Sequence, residues 1–203
     1  MNRDKAIELL KTNIAKWNQY RKDNPTFKPD LSYANLSYAD LTSADLYNAN
    51  LSSANLRSAN LTSADLYNAN LTSAGLSSAN LSNAGLSNAN LSYADLYNAN
   101  LTSADLYNAN LSSANLHSAD LSSANLTNAN LSYANLTNAN LSNADLTNAN
   151  LYNADLFQPT LERQEAVYLQ LEKKFELEQI QAKAIMTNIS SHYNTLEEAI
   201  LPE

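Results

Sequence analysis

Leucine occupies every fifth position from Leu31 to Leu156, and alanine every fifth position from Ala34 to Ala154. The unit is Leu-x-x-Ala-(Asn/Asp), repeated 25 times through Asp155, with its last place taken by glycine only at Gly75 and Gly85. A fixed period of this kind outranks local propensity as a guide to structure. On an α-helix a step of five turns each leucine about 140° from the last and spreads leucines around the whole circumference. On a flat strand an odd step sends successive leucines to opposite faces. The leucines can share one core only if the backbone turns a corner in every unit.

A second period gives the number of corners. Asn48, Asn68, Asn88, Asn108, Asn128 and Asn148 stand twenty apart, as do Asn50, Asn70, Asn90, Asn110, Asn130 and Asn150. Tyr47, Tyr67 and Tyr107 fall in a third column, and Asp45, Asp65, Asp105 and Asp145 in a fourth that Gly85 and Asn125 interrupt. Twenty residues are four units, which predicts a square coil in an all-β solenoid. Coils stacked at about 4.8 Å give roughly six turns and a rod about 30 Å long. Leucine is expected to fill the bore, one column being Leu31, Leu51, Leu71, Leu91, Leu111, Leu131 and Leu151, with alanine beside it. Asparagine tolerates turn geometry and can satisfy corner backbone groups through its own amide.

The flanks are different. The pattern over residues 1–30 predicts a helix from 2 to 23, capped by Asn2, with Ile7, Leu10, Ile14 and Trp17 as its apolar stripe. Pro25 and Pro29 end it, and Phe27 is placed to help cover the first leucine layer. A solenoid needs such a cap for solubility. Beyond Leu156, Phe157 and Pro159 break the repeat, and residues 161–189 carry Tyr168, Leu171, Phe175, Ala182, Ile185 and Ile189 on a heptad-like stripe interrupted by Glu178. Thr195 and Glu198 form a capping-box pattern for a last short helix. Leu177, Ile180 and Ala184 lie off the stripe, more apolar surface than one small solenoid end requires. Two readings stand: this helical segment folds back as a cap, or it pairs with a second copy to make a homodimer. The expected organisation is a helical cap and linker over 1–30, a solenoid over 31–156 and a helical segment over 157–203.

The run Leu-Tyr-Asn-Ala-Asn-Leu-Thr-Ser-Ala-Asp-Leu resembles the A(D/N)LXX signature of pentapeptide-repeat proteins, and the resemblance takes in 125 of 203 residues. The chain is most similar in texture to leucine-centred, cyanobacterial-type members of undefined function. The resemblance implies a right-handed quadrilateral β-helix with leucine as the central inward residue and alanine, two positions before it, as the second.

Charge and chemistry narrow the function. The net charge is −8. Residues 1–30 carry seven Lys/Arg against four Asp/Glu, the repeats one against eight, and 157–203 four against eight. Nothing in that distribution suits a direct nucleic-acid contact. There is no cysteine, which excludes disulfides and thiolate chemistry. The amino terminus mixes charges among its apolar residues, unlike a secretory signal, and no run could span a bilayer, so a soluble cytoplasmic protein without membrane contact is expected. Serine and threonine recur without a base to activate them. His117 and His192 lie in unrelated segments, and the aspartate column brings at most two acids together, so no catalytic group, cofactor or metal is expected.

What remains is surface. Asp45, Asp65, Asp105 and Asp145 with Tyr47, Tyr67 and Tyr107 form the candidate interaction surface, tyrosine offering contact area with a polar tip. These tyrosines, and Tyr33, Tyr93 and Tyr133 on another edge, read equally as wall residues stacking on one another. A hydroxyl ladder of Thr42, Thr62, Ser82, Thr102, Ser122 and Ser142 is too irregular in threonine for an ice-ordering face. The expected function is a non-catalytic, structural scaffold for an unidentified protein partner. The alternative implied by the resemblance is binding of DNA gyrase or topoisomerase IV by mimicry of DNA. Duplex DNA carries about one charge per 1.7 Å, or roughly 18 over 30 Å. The repeats carry eight acids against one base, less than half of that.

Overall fold

The computed structural model describes residues 1–156. The expectations for 157–203, both the helices and the choice between cap and homodimer, lie outside the described residues. Helix α1 runs Arg3–Thr12 and helix α2 Ile14–Asp23. Asn2 caps α1 as expected, its side chain accepting from the Lys5 N–H at 2.9 Å.

The single helix expected over 2–23 is broken at Asn13. This residue takes an extended φ of −158°, and its side chain accepts from the Lys16 N–H at 2.9 Å, so it ends one helix and caps the next. An asparagine side chain competes with the helical backbone for the same donors, and here it wins in mid-pattern. The break also rotates the buried stripe. Leu10 and Trp17 are completely buried as expected, joined by Ala6 and Leu9, while Ile7 and Ile14 pack on the core only from its flank. Phe27 packs there as well.

From Asp30 onward the backbone winds in coils of twenty residues. Twenty-two parallel bridges, from Asp30↔Asn50 to Asn135↔Asp155, each join residues twenty apart. Four corners per coil follow from the unit Leu101–Asp105, whose five N–H groups all have partners. Leu101 and Ser103 donate to the next coil, onto the carbonyls of Asp120 at 2.7 Å and Ser122 at 2.9 Å. Asp105 donates back to Ala84 of the preceding coil at 3.0 Å, and Ala104 closes a turn onto Leu101 at 3.0 Å. The fifth donor, Thr102, meets the side-chain Oδ1 of Asn100 at 2.9 Å. The residue in the last place of each unit therefore serves the following corner, which is why Asn or Asp stands there.

Each corner also has a residue in the left-handed region. Ser103 has φ 57°, and all 25 third-place residues lie between 53° and 61°. They are serine, asparagine or tyrosine and never glycine, although a non-glycine residue costs roughly 1–2 kcal/mol in this conformation. The stacked leucines offset that cost. Leu31 through Leu136 are completely buried, each contributing about 1.5–3 kcal/mol over an exposed side chain.

The two glycines stand elsewhere, in the last place of a unit, without positive φ. A Cβ on Gly85 would meet nothing closer than 4.0 Å, and Asp65 Oδ1 is one of the two atoms at that distance. Gly85→Asn therefore restores the missing acceptor for the Ser87 corner and a donor toward Asp65, while removing the chain entropy of glycine. It is expected to raise stability by about 1 kcal/mol, read as a higher urea midpoint.

Candidate interaction surface

The aspartate of each unit sits mid-edge between two inward residues, and the first corner residue follows two positions on, on the same side. The expected Asp and Tyr columns therefore adjoin, and they are bonded. The N–H groups of Tyr47, Tyr67 and Tyr107 donate to Oδ1 of Asp45, Asp65 and Asp105 at 3.2, 3.0 and 3.2 Å. Tyr47 and Tyr67 stack with ring centroids 5.4 Å apart and planes within 7°. Tyr107 stands two coils further along, with Ser87 between. Stacking and exposure coexist, since Tyr67 and Tyr107 remain 41% and 40% exposed. In the gap Ser87 donates to Asp105 Oδ2 at 2.6 Å, and Asn125 Nδ2 reaches Asp105 Oδ1 at 2.9 Å. Asp145 continues the column, accepting from the Thr147 N–H at 3.0 Å and hydroxyl at 2.7 Å.

Asp45 is engaged differently. Arg21, 3% exposed, donates through Nε to Asp45 Oδ1 at 3.2 Å and reaches the Tyr47 carbonyl at 2.6 Å and the Phe27 carbonyl. Trp17 Nε1 donates to the Asp45 carbonyl at 2.8 Å, and Asn18 accepts from the Asp45 N–H and donates to the Ser43 carbonyl, both at 2.9 Å. Asp45 and the Tyr47 carbonyl thus form the seat of the amino-terminal cap, while the Tyr47 ring remains 38% exposed beside Tyr67. Sequence reading missed Arg21. Its signal was the spacing Ile14, Trp17, Arg21, which carries the buried stripe one turn further onto a basic residue.

Other edges are knit by amides. Asn50 donates to Asp30 at 3.1 Å, Asn70 to Asn50, Asn110 to Asn90 and Asn130 to Asn110 at 3.3 Å, and Asn150 to Asn130 at 3.1 Å. The hydroxyl column is coupled to this kind of bonding, Asn60 and Asn80 donating to Thr42 and Thr62 at 2.8 and 2.9 Å. Tyr33 and Tyr93 stand on separate coils, and Tyr133 meets Tyr152 edge-on at 5.6 Å. His117 stacks on Tyr97 at 5.5 Å, a pairing visible in the sequence only as a shared column twenty residues apart. Hydrogen bonds from the Ser32 hydroxyl hold the Asp30 carboxyl below its ordinary 3.8, and those from the Thr42 hydroxyl do the same for Asp40.

A filled bore, flat bonded edges and a capped end define a β-solenoid. The sequence profile of the family described as pentapeptide repeats matches in eight copies over residues 30–62, 49–88, 84–122 and 124–158. The chain belongs to the pentapeptide-repeat family, whose members form right-handed quadrilateral β-helices. It is 36% identical to a pentapeptide repeat protein of the Arabidopsis thaliana thylakoid lumen, covering 46% of this chain and 65% of that one, just under two thirds, with a TM-score of 0.45. It is 38% identical to HetL of the cyanobacterium Nostoc sp. strain PCC 7120, a protein involved in heterocyst differentiation regulation, over 63% of this chain and 72% of that one, with a TM-score of 0.31. The plasmid-mediated fluoroquinolone resistance protein QnrB1 is 19% identical over 72% of this chain and 85% of its own, with a TM-score of 0.26. No curated protein sequence matches. No helix among the described residues is long and apolar enough to cross a membrane.

Two outcomes are expected. Arg21→Ala removes three bonds from a buried guanidinium and leaves Asp45 without its cation, lowering stability by about 2–4 kcal/mol in urea titration, against about 1 for Asp45→Asn. Asp30 and Asp40 have depressed folded values, so their stabilisation is complete above the ordinary carboxylate range and is lost as pH falls through those lower values. Asp30→Asn/Asp40→Asn keeps the acceptors and should flatten the decline of the thermal midpoint below about pH 4.

Proposed function

We propose that the protein is a rigid, non-catalytic scaffold that holds a protein partner along the edge carrying Asp65, Tyr67, Asp105 and Tyr107. The observation behind this reading is that exposed tyrosine rings stand beside carboxylates on a wall whose backbone is hydrogen-bonded coil to coil. Aromatic rings anchored on rigid backbone lose little entropy on binding and suit the centre of an interface. The bore is filled by leucine and alanine, so chemistry would have to take place on a flat wall. Binding of a topoisomerase in place of DNA is the weaker reading, because the acids of the repeats are too sparse for the charge density of a duplex.

The test is capture of partners from the native host's lysate by the immobilised full chain. Wild type and Tyr97→Ser, altered on the opposite edge, are expected to retain the same partner, and Tyr67→Ser/Tyr107→Ser to lose it by at least about tenfold. Capture indifferent to the double substitution would remove this edge from the reading. A turnover abolished by changing one polar side chain would remove the scaffold itself.

A further inference from the structure

One rung is missing from the tyrosine column. Tyr47 and Tyr67 stack ring on ring at 5.4 Å, the next place along the rod is held by Ser87, and Tyr107 follows on the coil beyond. Tyr67 and Tyr107 are therefore separated by two coils, about 9.6 Å at one strand spacing per coil. The Tyr67 ring lies within 7° of parallel to Tyr47, so its other face looks along the rod into this gap. The floor of the gap is bare. Gly85 stands at mid-edge where most units carry Asn or Asp, and a Cβ built on it would meet nothing closer than 4.0 Å.

The same glycine leaves Asp65 short of a partner. Asp30, Asp40, Asp95, Asp105 and Asp120 each accept the side-chain amide of the asparagine twenty residues on, which is Asn50, Asn60, Asn115, Asn125 and Asn140 in turn. Asp45 is met by Arg21 instead. Asp65 has Gly85 in that place, and among the described residues its side chain accepts only the Tyr67 N–H. On the far side of the gap Asp105 holds the Ser87 hydroxyl on Oδ2 at 2.6 Å. The wall supplies no base to answer these charges, because Arg57, the only Lys or Arg of the repeats, stands in the Tyr97 column.

We propose, building on the reading of this edge as the interaction surface, that the slot takes the guanidinium of an arginine from the protein partner, between the Tyr67 and Tyr107 rings with its N–H groups on Asp65. A cation midway between the rings would lie about 4.8 Å from each, inside the roughly 6 Å over which a ring face attracts positive charge. Arginine suits both walls at once: its flat faces stack on rings, and its donors lie in the plane, where they meet a carboxylate edge-on. A lysine ammonium carries the charge but has no face to stack. A metal ion would need both carboxylates within about 2.6 Å, and Asp65 and Asp105 stand on coils too far apart for that.

The probe is the peptide acetyl-Gly-Arg-Gly-amide, titrated into the full chain with isotope label in glycine alone. The chain has two glycines, so the magnetic resonance spectrum holds Gly85 as reporter and Gly75, on another edge, as reference. Gly85→Asn identifies the reporter signal by removing it. The arginine peptide is expected to move the Gly85 amide saturably, leave Gly75 in place, and bind at least about fivefold more tightly than its lysine counterpart. Ser87→Tyr, which supplies the missing rung, should abolish the shift without lowering the urea midpoint, and Asp65→Asn, which changes charge and not shape, should weaken binding at least about fivefold. A Gly85 signal that stays put, a lysine peptide that binds equally well, or binding unchanged in either variant would overturn the proposal. The edge itself has a separate readout. If the peptide fails while Tyr67→Ser/Tyr107→Ser still loses the partner from lysate, only the arginine falls; if that double substitution is silent too, the edge falls with it.

Discussion

Square coils stack most stably when every backbone donor at a corner finds a partner, and in this protein that requirement settles the last place of each unit except at Gly75 and Gly85. Three donors of each unit run to neighbouring coils and one closes the turn, which leaves the N–H just after leucine with no backbone acceptor. The side chain two residues earlier supplies one, as Asn100 does for Thr102. Leucine and alanine then follow from the inward positions this path leaves, while the left-handed place at the corner holds serine, asparagine or tyrosine against its conformational cost.

The same bonding gives the rod a direction. Backbone donors and carbonyls are shared between coils everywhere except at the ends, and at the amino-terminal end each unit leaves over two carbonyls for every N–H. Open rows of this sort are templates for unwanted pairing, and natural sheets cover or charge them. Here the covering is specific: an arginine, a tryptophan and an asparagine occupy the places that a preceding coil would have filled. The cap imitates the missing coil in hydrogen bonds as well as in apolar contact.

Much of this was legible in the sequence because a strict period leaves few geometries. The columns Asp45–Asp65 and Asn50–Asn70 reappear as bridged pairs, and the leucine column Leu31 to Leu151 lines the bore. The cap was legible as a helix but not as two, since apolar spacing continues smoothly through Asn13 while the asparagine side chain interrupts the backbone. Asp45 looked equivalent to Asp65 and Asp105 because position in a repeat says nothing about what packs on its first coil. The left-handed corners were hidden by the absence of glycine, the usual sign of positive φ.

Each coil touches only the coils above and below it, so length and facing are separate properties of this chain. Loss or gain of twenty residues anywhere within the repeats would rejoin column to column and change the rod by about 4.8 Å with every edge still aligned. Loss or gain of five would leave the bore equally well filled, leucine meeting leucine, but would swing everything downstream by a quarter turn. Such a step would carry Asp105 and Tyr107 off the edge that holds Asp65 and Tyr67, so a single pentapeptide acts as an indexing click between faces.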